Sequence, residues 1–304
     1  MRLFVYEYAC AQPVSVALPE SVRREGRAMF EAVLEDARRL QPQIEVINLS
    51  TTQDSAPRTQ DYFSQADYAL IIAPEFDGIL EQLARIALEE GCQLLGPTPE
   101  AIRLTADKWE LYQHWIRNGV PTPAIWLPAE LPDKAGLYVK KHRYGAGSLG
   151  VGWWQPGESV PEKYLVQKYV VGMPVSVAVL ISPQGKIMPL LPADQKISSD
   201  GQFRYLGGSF LMDTGLCSRV INLALQALQG IRGLQGYIGI DAILGTSHNG
   251  EGDMVLEINP RITTSYLGLR QATSANLIHC ILEMLTNDTI VPINWCRQGI
   301  GWSS

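Results

Sequence analysis

The sequence lacks several patterns that mark common classes of protein. Its five cysteines lie far apart, with no paired spacing typical of a metal knot or a redox motif. Their odd number in a chain of 304 residues argues against a disulfide framework. No uninterrupted apolar run approaches the roughly 18–20 residues that span a bilayer, and the first residues are typical of a strand rather than a signal peptide. We therefore expect a soluble, cytoplasmic protein.

Other absences narrow the function. No G-x-G-x-x-G follows the first predicted strand, so a dinucleotide site is not indicated. We find no internal repeat and no low-complexity tract. The formal net charge of −6 excludes a general attraction for nucleic acids or anionic membranes. A local basic cluster could still hold a phosphate group.

What is present is enough apolar sequence, 46% of the residues, for one large or two to three small domains. Residues 1–97 alternate strand and helix patterns, which predicts a small doubly wound α/β domain. Its strands are predicted at 3–8, 44–49, 68–73 and 92–95, and its helices at 19–40 and 79–89.

The rest of the chain predicts an α+β structure with antiparallel hairpins. A helical section runs to residue 118, and the segment 194–208 is expected to be flexible. Strands are predicted at 136–141, 150–154, 164–170, 174–182, 236–244 and 254–258, and helices at 214–232 and 265–285.

The strongest chemical signal lies in the last two predicted strands. Asp241 interrupts an apolar strand, and Glu257 and Asn259 are two residues apart, so they point to one face of the sheet. Two carboxylates and an amide oxygen suit a hard cation such as Mg²⁺. Arg261 follows with a guanidinium for a phosphate or a carboxylate. The alternative, edge-strand acids that pair with basic groups, suits a single carboxylate better than this set.

A second signal is a strand that carries Lys140 and leads into a turn with Gly145, Gly147, Ser148 and Gly150. Backbone N–H groups of such a turn can surround an anion, to which the lysine adds a positive charge. An ordinary β-turn explains the same pattern equally well.

Two weaker signals flank this turn. Lys108 begins a predicted helix and, taken alone, is better explained as a solvated charge. The stretch Gln167, Lys168, Tyr169 and Val170 ends at Gly172. It could be an edge strand whose backbone groups pair with an adenine ring, or a plain sheet strand.

The order of these four segments resembles the ATP-grasp superfamily. The resemblance implies an ATP-grasp fold: a pre-ATP-grasp α/β domain over residues 1–97, a small subdomain over 98–165 and a large subdomain over 166–304. It implies that Lys108 and Lys140 contact the phosphates of ATP and that the glycine-rich turn, with Gly145, Gly147 and Ser148, closes over them. Adenine would be held by Gln167, Lys168, Tyr169 and Val170. Asp241, Glu257 and Asn259 would hold Mg²⁺, with Mn²⁺ as the alternative ion.

Five stretches resemble one branch, the tyramine–L-glutamate ligases of methanofuran biosynthesis and their bacterial relatives in one-carbon metabolism. The stretches are VYEY (5–8), EGRAM (25–29), IAPEFDG (72–78), YLGG (205–208) and INPRITTSY (258–266). The branch implies L-glutamate and an aromatic amine as substrates, joined through an acylphosphate. The sequence leaves the oligomeric state open, with a homodimer as one alternative.

The resemblance also assigns residues to the substrates. Arg261 and Lys140 would be catalytic, and Arg204 would help to orient the carboxylate. Thr263, Thr264 and Ser265 would line the acceptor side, while Glu7 and Glu75 are candidates to bind an amine. For Glu75 a charge at a helix N-terminus is an equally good explanation.

Two departures from the family pattern keep rival hypotheses open. Lys168 stands where the family usually has Glu, and 174–176 replace an acidic ribose contact. One rival is an amino-acid or peptide ligase, or a carboxylase-type enzyme, of another pathway. The other is a nucleotide-binding regulatory protein without turnover.

Overall fold

A computed structural model describes residues 1–13, 18–48, 59–145, 147–296 and 300–303. The described chain forms three sheets. The first contains β1 (Arg2–Glu7), β2 (Glu45–Asn48), β3 (Tyr68–Ile72) and β4 (Gln93–Leu94), all parallel, in the order β2-β1-β3-β4. Leu49, the predicted last residue of the second strand, lies outside the described residues.

Helices cover both faces of this first sheet. They are α1 (Tyr8–Ala11), α2 (Glu20–Arg38), α3 (Thr59–Phe63) and α4 (Ile79–Glu89). Leu3 and Val5 pack in one cluster with α2, whereas Phe4 and Tyr6 pack in another with α4. Because successive strand side chains point to opposite faces, covering both faces explains the nearly continuous apolar runs. The predicted doubly wound domain is confirmed.

The second sheet is small and antiparallel. It contains β5 (Ile125–Trp126), β6 (Tyr138–His142), β7 (Gly152–Trp154) and β8 (Tyr164–Lys168), in the order β5-β8-β6-β7. Its core is formed by Tyr138, Trp154 and Val166.

The third sheet has seven strands, which pair in antiparallel fashion. They are β9 (Met173–Ile181), β10 (Ile187–Pro189), β11 (Ala193–Ile197), β12 (Tyr205–Phe210), β13 (Gly236–Leu244), β14 (Met254–Asn259) and β15 (Gly301–Ser303). The segment 194–208, for which no strand was predicted, contains most of β11 and the start of β12, which pair in an antiparallel hairpin. The polar and glycine residues of these two strands lack the alternation of apolar and polar residues from which a strand is predicted.

The remaining helices are α5 (Pro99–Ala106), α6 (Lys108–Arg117), α7 (Thr214–Ala227), α8 (Ser265–Leu269) and α9 (Leu277–Thr286). Two predicted single helices are therefore each divided in two. The first break falls at Asp107, which is extended and caps α6 by accepting from the backbone N–H groups of Trp109 and Glu110. Asn276 likewise caps α9. In the described part of the chain, no helix is long and apolar enough to cross a membrane.

Two features of the packing do not follow the predicted division at residues 98–165. Strand β8 runs past residue 165 to Lys168 and belongs entirely to the second sheet. Helices α5 and α6 bury Ala101, Leu111 and Trp115 in the core of the third sheet instead. The domain bounds stay predictions, with these two details to be taken into account.

Candidate functional site

A cavity of about 730 Å³ lies between the second and third sheets, with α2 at one end. Most of the residues predicted as site residues line it. They are Lys108, Gly145, Gly147, Ser148, Gln167, Lys168, Tyr169, Val170, Asp241, Glu257, Asn259, Arg261, Thr263, Thr264 and Ser265. Four others do not line it: Glu7, Glu75, Lys140 and Arg204.

The carboxylate pair is formed by the β13–β14 hairpin. Asp241 lies directly opposite Glu257, and Gly239 lies opposite Asn259, so the three polar side chains share one surface. Asp241 accepts hydrogen bonds from Gln195 Nε2 at 2.8 Å and from Asn259 Nδ2 at 2.9 Å. The bond from Gln195 ties β11 to this hairpin.

Burial and neighbouring charges shift the pKa values of the two carboxyl groups in opposite directions. Burial, and then the charge of Glu257, raises the pKa of Asp241 to about 7. Burial also opposes ionisation of Glu257, but Lys108 and Lys141 more than offset it and lower the pKa of that carboxyl. A divalent cation would relieve the repulsion between these two adjacent, half-buried carboxylates.

The oxygen donors therefore fit a hard cation such as Mg²⁺ or Mn²⁺. Asp241, Glu257 and Asn259 would be its ligands. Among the described residues no group of three His, Cys, Asp or Glu side chains could hold a metal ion. Two carboxylates and one amide oxygen are fewer protein ligands than such a group would supply. Mg²⁺ is commonly bound by one or two carboxylates when phosphates supply further ligands.

Two lysines face the carboxylate pair. Lys108 Nζ donates to the backbone oxygen of Gly145 at 2.7 Å and lies 3.3 Å from Glu257 Oε2. Lys141 is buried in β6, and burial, with some help from the charge of Lys108, lowers its pKa from 10.5 to about 8. The two ammonium groups make this end of the cavity suitable for phosphates.

Lys140 is on the opposite face of β6 from Lys141. It shares that face with Tyr138, and its Nζ lies 6.0 Å from the centre of the Tyr164 ring. Lys140 therefore does not line the cavity, whereas its neighbour Lys141 does. Strand alternation separates the two lysines, but the sequence does not indicate which face of β6 meets the cavity.

The glycine-rich turn joins β6 to β7 along one side of the cavity. Gly147, Ser148 and Gly150 have φ values of 64°, 56° and 69°. A side chain at position 150 would also meet Tyr164 Oη, at 2.6 Å from its Cβ. Glycine is therefore required there by both backbone conformation and space. Ala146 lies outside the described residues.

Of the two alternatives for the segment near Gln167, an edge strand or a plain sheet strand, the structure shows an inner strand of the second sheet. β8 lies between β5 and β6, and the backbone N–H groups of Lys168 and Tyr169 already donate to Ala124 and Leu137. Lys168 is exposed. Gln167 is buried in the cavity wall, and its Nε2 has no hydrogen-bond partner within the described chain. A buried orphan amide indicates a missing acceptor, such as a base nitrogen.

At the other end of the cavity Arg261 is bound to the first domain. Its Nε donates to Glu75 Oε1 at 2.8 Å and its Nη2 to Oε2 at 3.3 Å. Glu75 makes no side-chain bond to cap the short helix that follows it, so its partner is Arg261. Glu7 instead caps α1, accepting from the backbone N–H of Cys10 at 2.6 Å.

The other predicted substrate residues are divided. Arg204 is paired with Asp200 on the surface, outside the cavity. Thr263 Oγ1 and Ser265 Oγ are 2.8 Å apart, and Tyr237 Oη lies 2.9 Å from Ser265 Oγ. Thr263, Thr264 and Ser265 form a polar wall of the cavity beside Arg261.

Sequence reasoning missed several residues that line the cavity. They are Glu25 and Met29 of α2, Lys141, Gln195, and Tyr205 of β12. Glu25 and Met29 lie one helical turn apart, within a stretch already noted for its resemblance to one branch. That spacing indicates a shared face but not what the face meets.

The chain is similar to known proteins over nearly its whole length. A model of the ATP-grasp domain matches residues 105–265, and a model of the pre ATP-grasp 3 domain matches residues 31–102. The chain is 26% identical to the tyramine–L-glutamate ligase of Methanocaldococcus jannaschii, over 95% of this chain and 90% of that protein. The ligase of the same name from Methanocaldococcus fervens is 28% identical, over 95% and 96%.

A solved structure has the same fold. It is the crystal structure of an ATP-grasp superfamily protein from Archaeoglobus fulgidus, with a TM-score of 0.76 and 26% identity. The match covers 92% of this chain and 87% of that one. The three-sheet arrangement is therefore one that an experimentally determined protein also adopts.

Proposed function

Because the chain belongs to the ATP-grasp family, as an ADP-forming carbon–nitrogen ligase, we propose that it joins the γ-carboxyl group of L-glutamate to tyramine or a tyrosine-like aromatic amine. Members of this family use ATP with Mg²⁺ or Mn²⁺. The observation that carries the proposal is a cavity with lysines at one end and an arginine beside a hydroxyl wall at the other.

The phosphate end is supported by charge and backbone geometry. Lys108 and Lys141 would contact the phosphates, and the turn with Gly145, Gly147 and Ser148 would close over them. Lys141 takes the role that the sequence resemblance gave to Lys140.

Asp241, Glu257 and Asn259 would hold the metal ion. When bound, the ion neutralises phosphate charge and fixes the orientation of the triphosphate. The two lysines flank the carboxylates, so in the absence of metal they limit the repulsion between them.

Gln167 would recognise the adenine ring. Its unpartnered Nε2 suits a ring nitrogen acceptor, and Tyr169 and Val170 line the adjoining wall. This arrangement does not need an acidic residue at position 168.

The reaction that suits this cavity has two steps. A glutamate carboxylate oxygen attacks the γ-phosphorus of ATP, an oxygen–phosphorus bond forms, and ADP leaves with the electron pair of the broken bond. The neutral amine then attacks the acyl carbon, phosphate leaves, and the nitrogen loses a proton to give the amide. Arg261 would orient the carboxylate, while positioning and charge neutralisation supply most of the catalysis.

Two observations support L-glutamate and an aromatic amine as the substrates. The two curated relatives are named for tyramine and L-glutamate, and the stretches at 25–29 and 258–266 contribute residues to the cavity. The product would be a γ-glutamyl amide. Its place in the synthesis of a furan-bearing one-carbon carrier follows from the resemblance of the sequence and is part of this proposal.

The test is ADP release by purified protein with Mg-ATP and L-glutamate, with tyramine, tyrosine or no amine in parallel. We expect release that requires both glutamate and an aromatic amine, and a dehydrated condensation product by mass spectrometry. Release with other acid–amine pairs instead would indicate an amino-acid or peptide ligase. Nucleotide binding without release under any pair would indicate a regulatory protein.

A further inference from the structure

Only two described residues of the first domain line the cavity, and both come from α2. Glu25 and Met29 are four residues apart, so they lie on the same face of the helix. This face looks onto the end of the cavity with Arg261, Tyr205 and the hydroxyl wall. The first domain therefore offers the cavity one carboxylate and one thioether.

Glu25 differs from Glu7 and Glu75 in having no hydrogen-bond or ion-pair partner among the described residues. Glu75 is bound by Arg261, and Glu7 is bound by the backbone N–H of Cys10. Within the described part of the chain, no hydrogen bond or ion pair is found for Glu25. Its carboxylate is available to a ligand in the cavity.

The local charge at this end is negative. The electrostatic effect of Arg261 reaches both Glu7 and Glu25, but its guanidinium is already bound to Glu75. Arg24, the other cation that acts on Glu25, is exposed. Three carboxylates thus surround one buried guanidinium, and a positively charged ligand would restore the balance.

Partial burial makes the charged form of the Glu25 carboxyl group less favourable, and a cation bound beside it would offset that cost. Burial raises the pKa of its carboxyl, against the lowering effects of Arg261 and Arg24. Its charge also adds to the rise that burial causes in the pKa of Tyr205, which places the phenol near it. A Cβ atom at Gly26 would clash with Glu7 Oε1. Because Gly26 has no side chain, helix α2 can pack closely against Glu7, next to Glu25.

We propose that Glu25 binds the primary ammonium group of a substrate, with Met29 and Tyr205 packing against the adjoining part of that substrate. This inference rests on the proposed function. The ammonium group has two sources: the α-ammonium of glutamate, or the amine before it loses its proton. A charge-assisted hydrogen bond from the ammonium to Glu25 serves either one.

The first test uses Glu25→Gln, which keeps the shape of the side chain and removes its charge. We expect the KM of one ammonium-bearing substrate to rise about 10- to 100-fold, the usual effect of losing a charge-assisted hydrogen bond. The KM of ATP should stay within about twofold. The substrate whose KM rises identifies the source. Glu31→Gln, an exposed position on the same helix, is the matched control and should change neither KM.

A second test separates recognition from a merely structural effect. Glutarate lacks the α-ammonium of glutamate, and 4-ethylphenol lacks the amine of tyramine. Wild-type protein should bind the substrate of the identified source better than its analogue, and Glu25→Gln should lose most of that preference. Equal discrimination in both proteins would overturn the inference.

The outcomes distinguish failure of this inference from failure of the proposed function. If wild-type protein makes the amide and Glu25→Gln leaves both KM values unchanged, the function stands and the inference is wrong. If wild-type protein makes no amide, calorimetry with L-glutamate and tyramine in the presence of ADP decides. Binding that is lost in Glu25→Gln supports the inference alone, and absence of binding to wild type rejects it.

Discussion

Arg261 Nε donates to Glu75 Oε1 over 2.8 Å, across a sequence separation of 186 residues. Both side chains are largely buried, at 13% and 6% exposed. Arg261 follows β14, which carries the carboxylates, whereas Glu75 follows β3 in the first domain. The pair therefore joins the first domain to the cavity, and Arg261 is held in place before a substrate binds.

Breaking this pair should weaken the fold. Glu75→Gln would remove the carboxylate charge that is hydrogen-bonded to the largely buried guanidinium of Arg261, and breaking a buried pair in this way costs about 3–5 kcal/mol. We expect the urea midpoint to fall accordingly. The double variant Glu75→Gln with Arg261→Met should recover part of that loss. A single variant as stable as wild type would show that water reaches Arg261.

Substitutions of the two adjacent lysines of β6 should have very different effects on the KM of ATP. Lys141→Met removes a buried ammonium from the cavity, and we expect the KM of ATP to rise at least about tenfold, as for loss of a hydrogen bond to a charged group. Lys140→Met, on the opposite face, should change it by less than about threefold. Steady-state ADP release with both variants provides the measurement. The reverse order of effects would restore the assignment of Lys140.

ATP affinity should depend on pH through Lys141. Burial, the largest cause, lowers its pKa to about 8. Phosphates favour the charged form, so binding takes up a proton above pH 8. The affinity should therefore fall as the pH rises from 8 to 10, by up to about tenfold per unit. Calorimetry of ATP without divalent metal would measure it. Lys141→Arg stays charged and should abolish this dependence.

The same shift has a defined sign for stability. In the unfolded chain Lys141 keeps its proton to about pH 10.5, whereas in the folded chain it loses it near pH 8. Between those values the unfolded state binds more protons, so the Lys141 contribution to the free energy of unfolding rises with pH. Below pH 8 the buried charge costs stability.

Gln167 should show opposite effects on stability and nucleotide binding. Its Nε2 is buried without a partner in the described chain, so Gln167→Leu removes an unsatisfied group and should raise the free energy of unfolding by about 1 kcal/mol. The KM of ATP should rise about tenfold, because the adenine loses its donor. Thermal unfolding and ADP release test both. A destabilised variant with normal KM would assign Gln167 to the core.

Glu257 should be required for turnover but not for folding. Glu257→Gln removes one anionic ligand from the metal set, and we expect kcat/KM to fall roughly 100-fold or more. Circular dichroism should be unchanged, because the substitution keeps the shape of a side chain that lines the cavity. Partial rescue by high Mg²⁺ would support a ligand role. Retained activity at low Mg²⁺ would contradict it.

The polar residues of β13 and β14 and the fold of the first domain show what could be predicted from the sequence alone. Period-two alternation was enough to predict that Glu257 and Asn259 point to one face of the sheet, and the antiparallel register places Asp241 directly opposite Glu257. The α/β alternation of residues 1–97 predicted the first sheet, since each element there is defined by local periodicity.

Only the tertiary structure decided which side chains meet the cavity. Alternation along β6 separates Lys140 from Lys141, but only the packing of the second sheet against the third selects Lys141. Likewise, no local pattern in the sequence indicates which of Glu7, Glu25 and Glu75 in the first domain meets the cavity. Long-range contacts bind Glu75 to Arg261 and leave Glu25 facing the cavity. Local patterns determine faces and registers, whereas the choice of face depends on contacts between residues far apart in the chain, which no local pattern encodes.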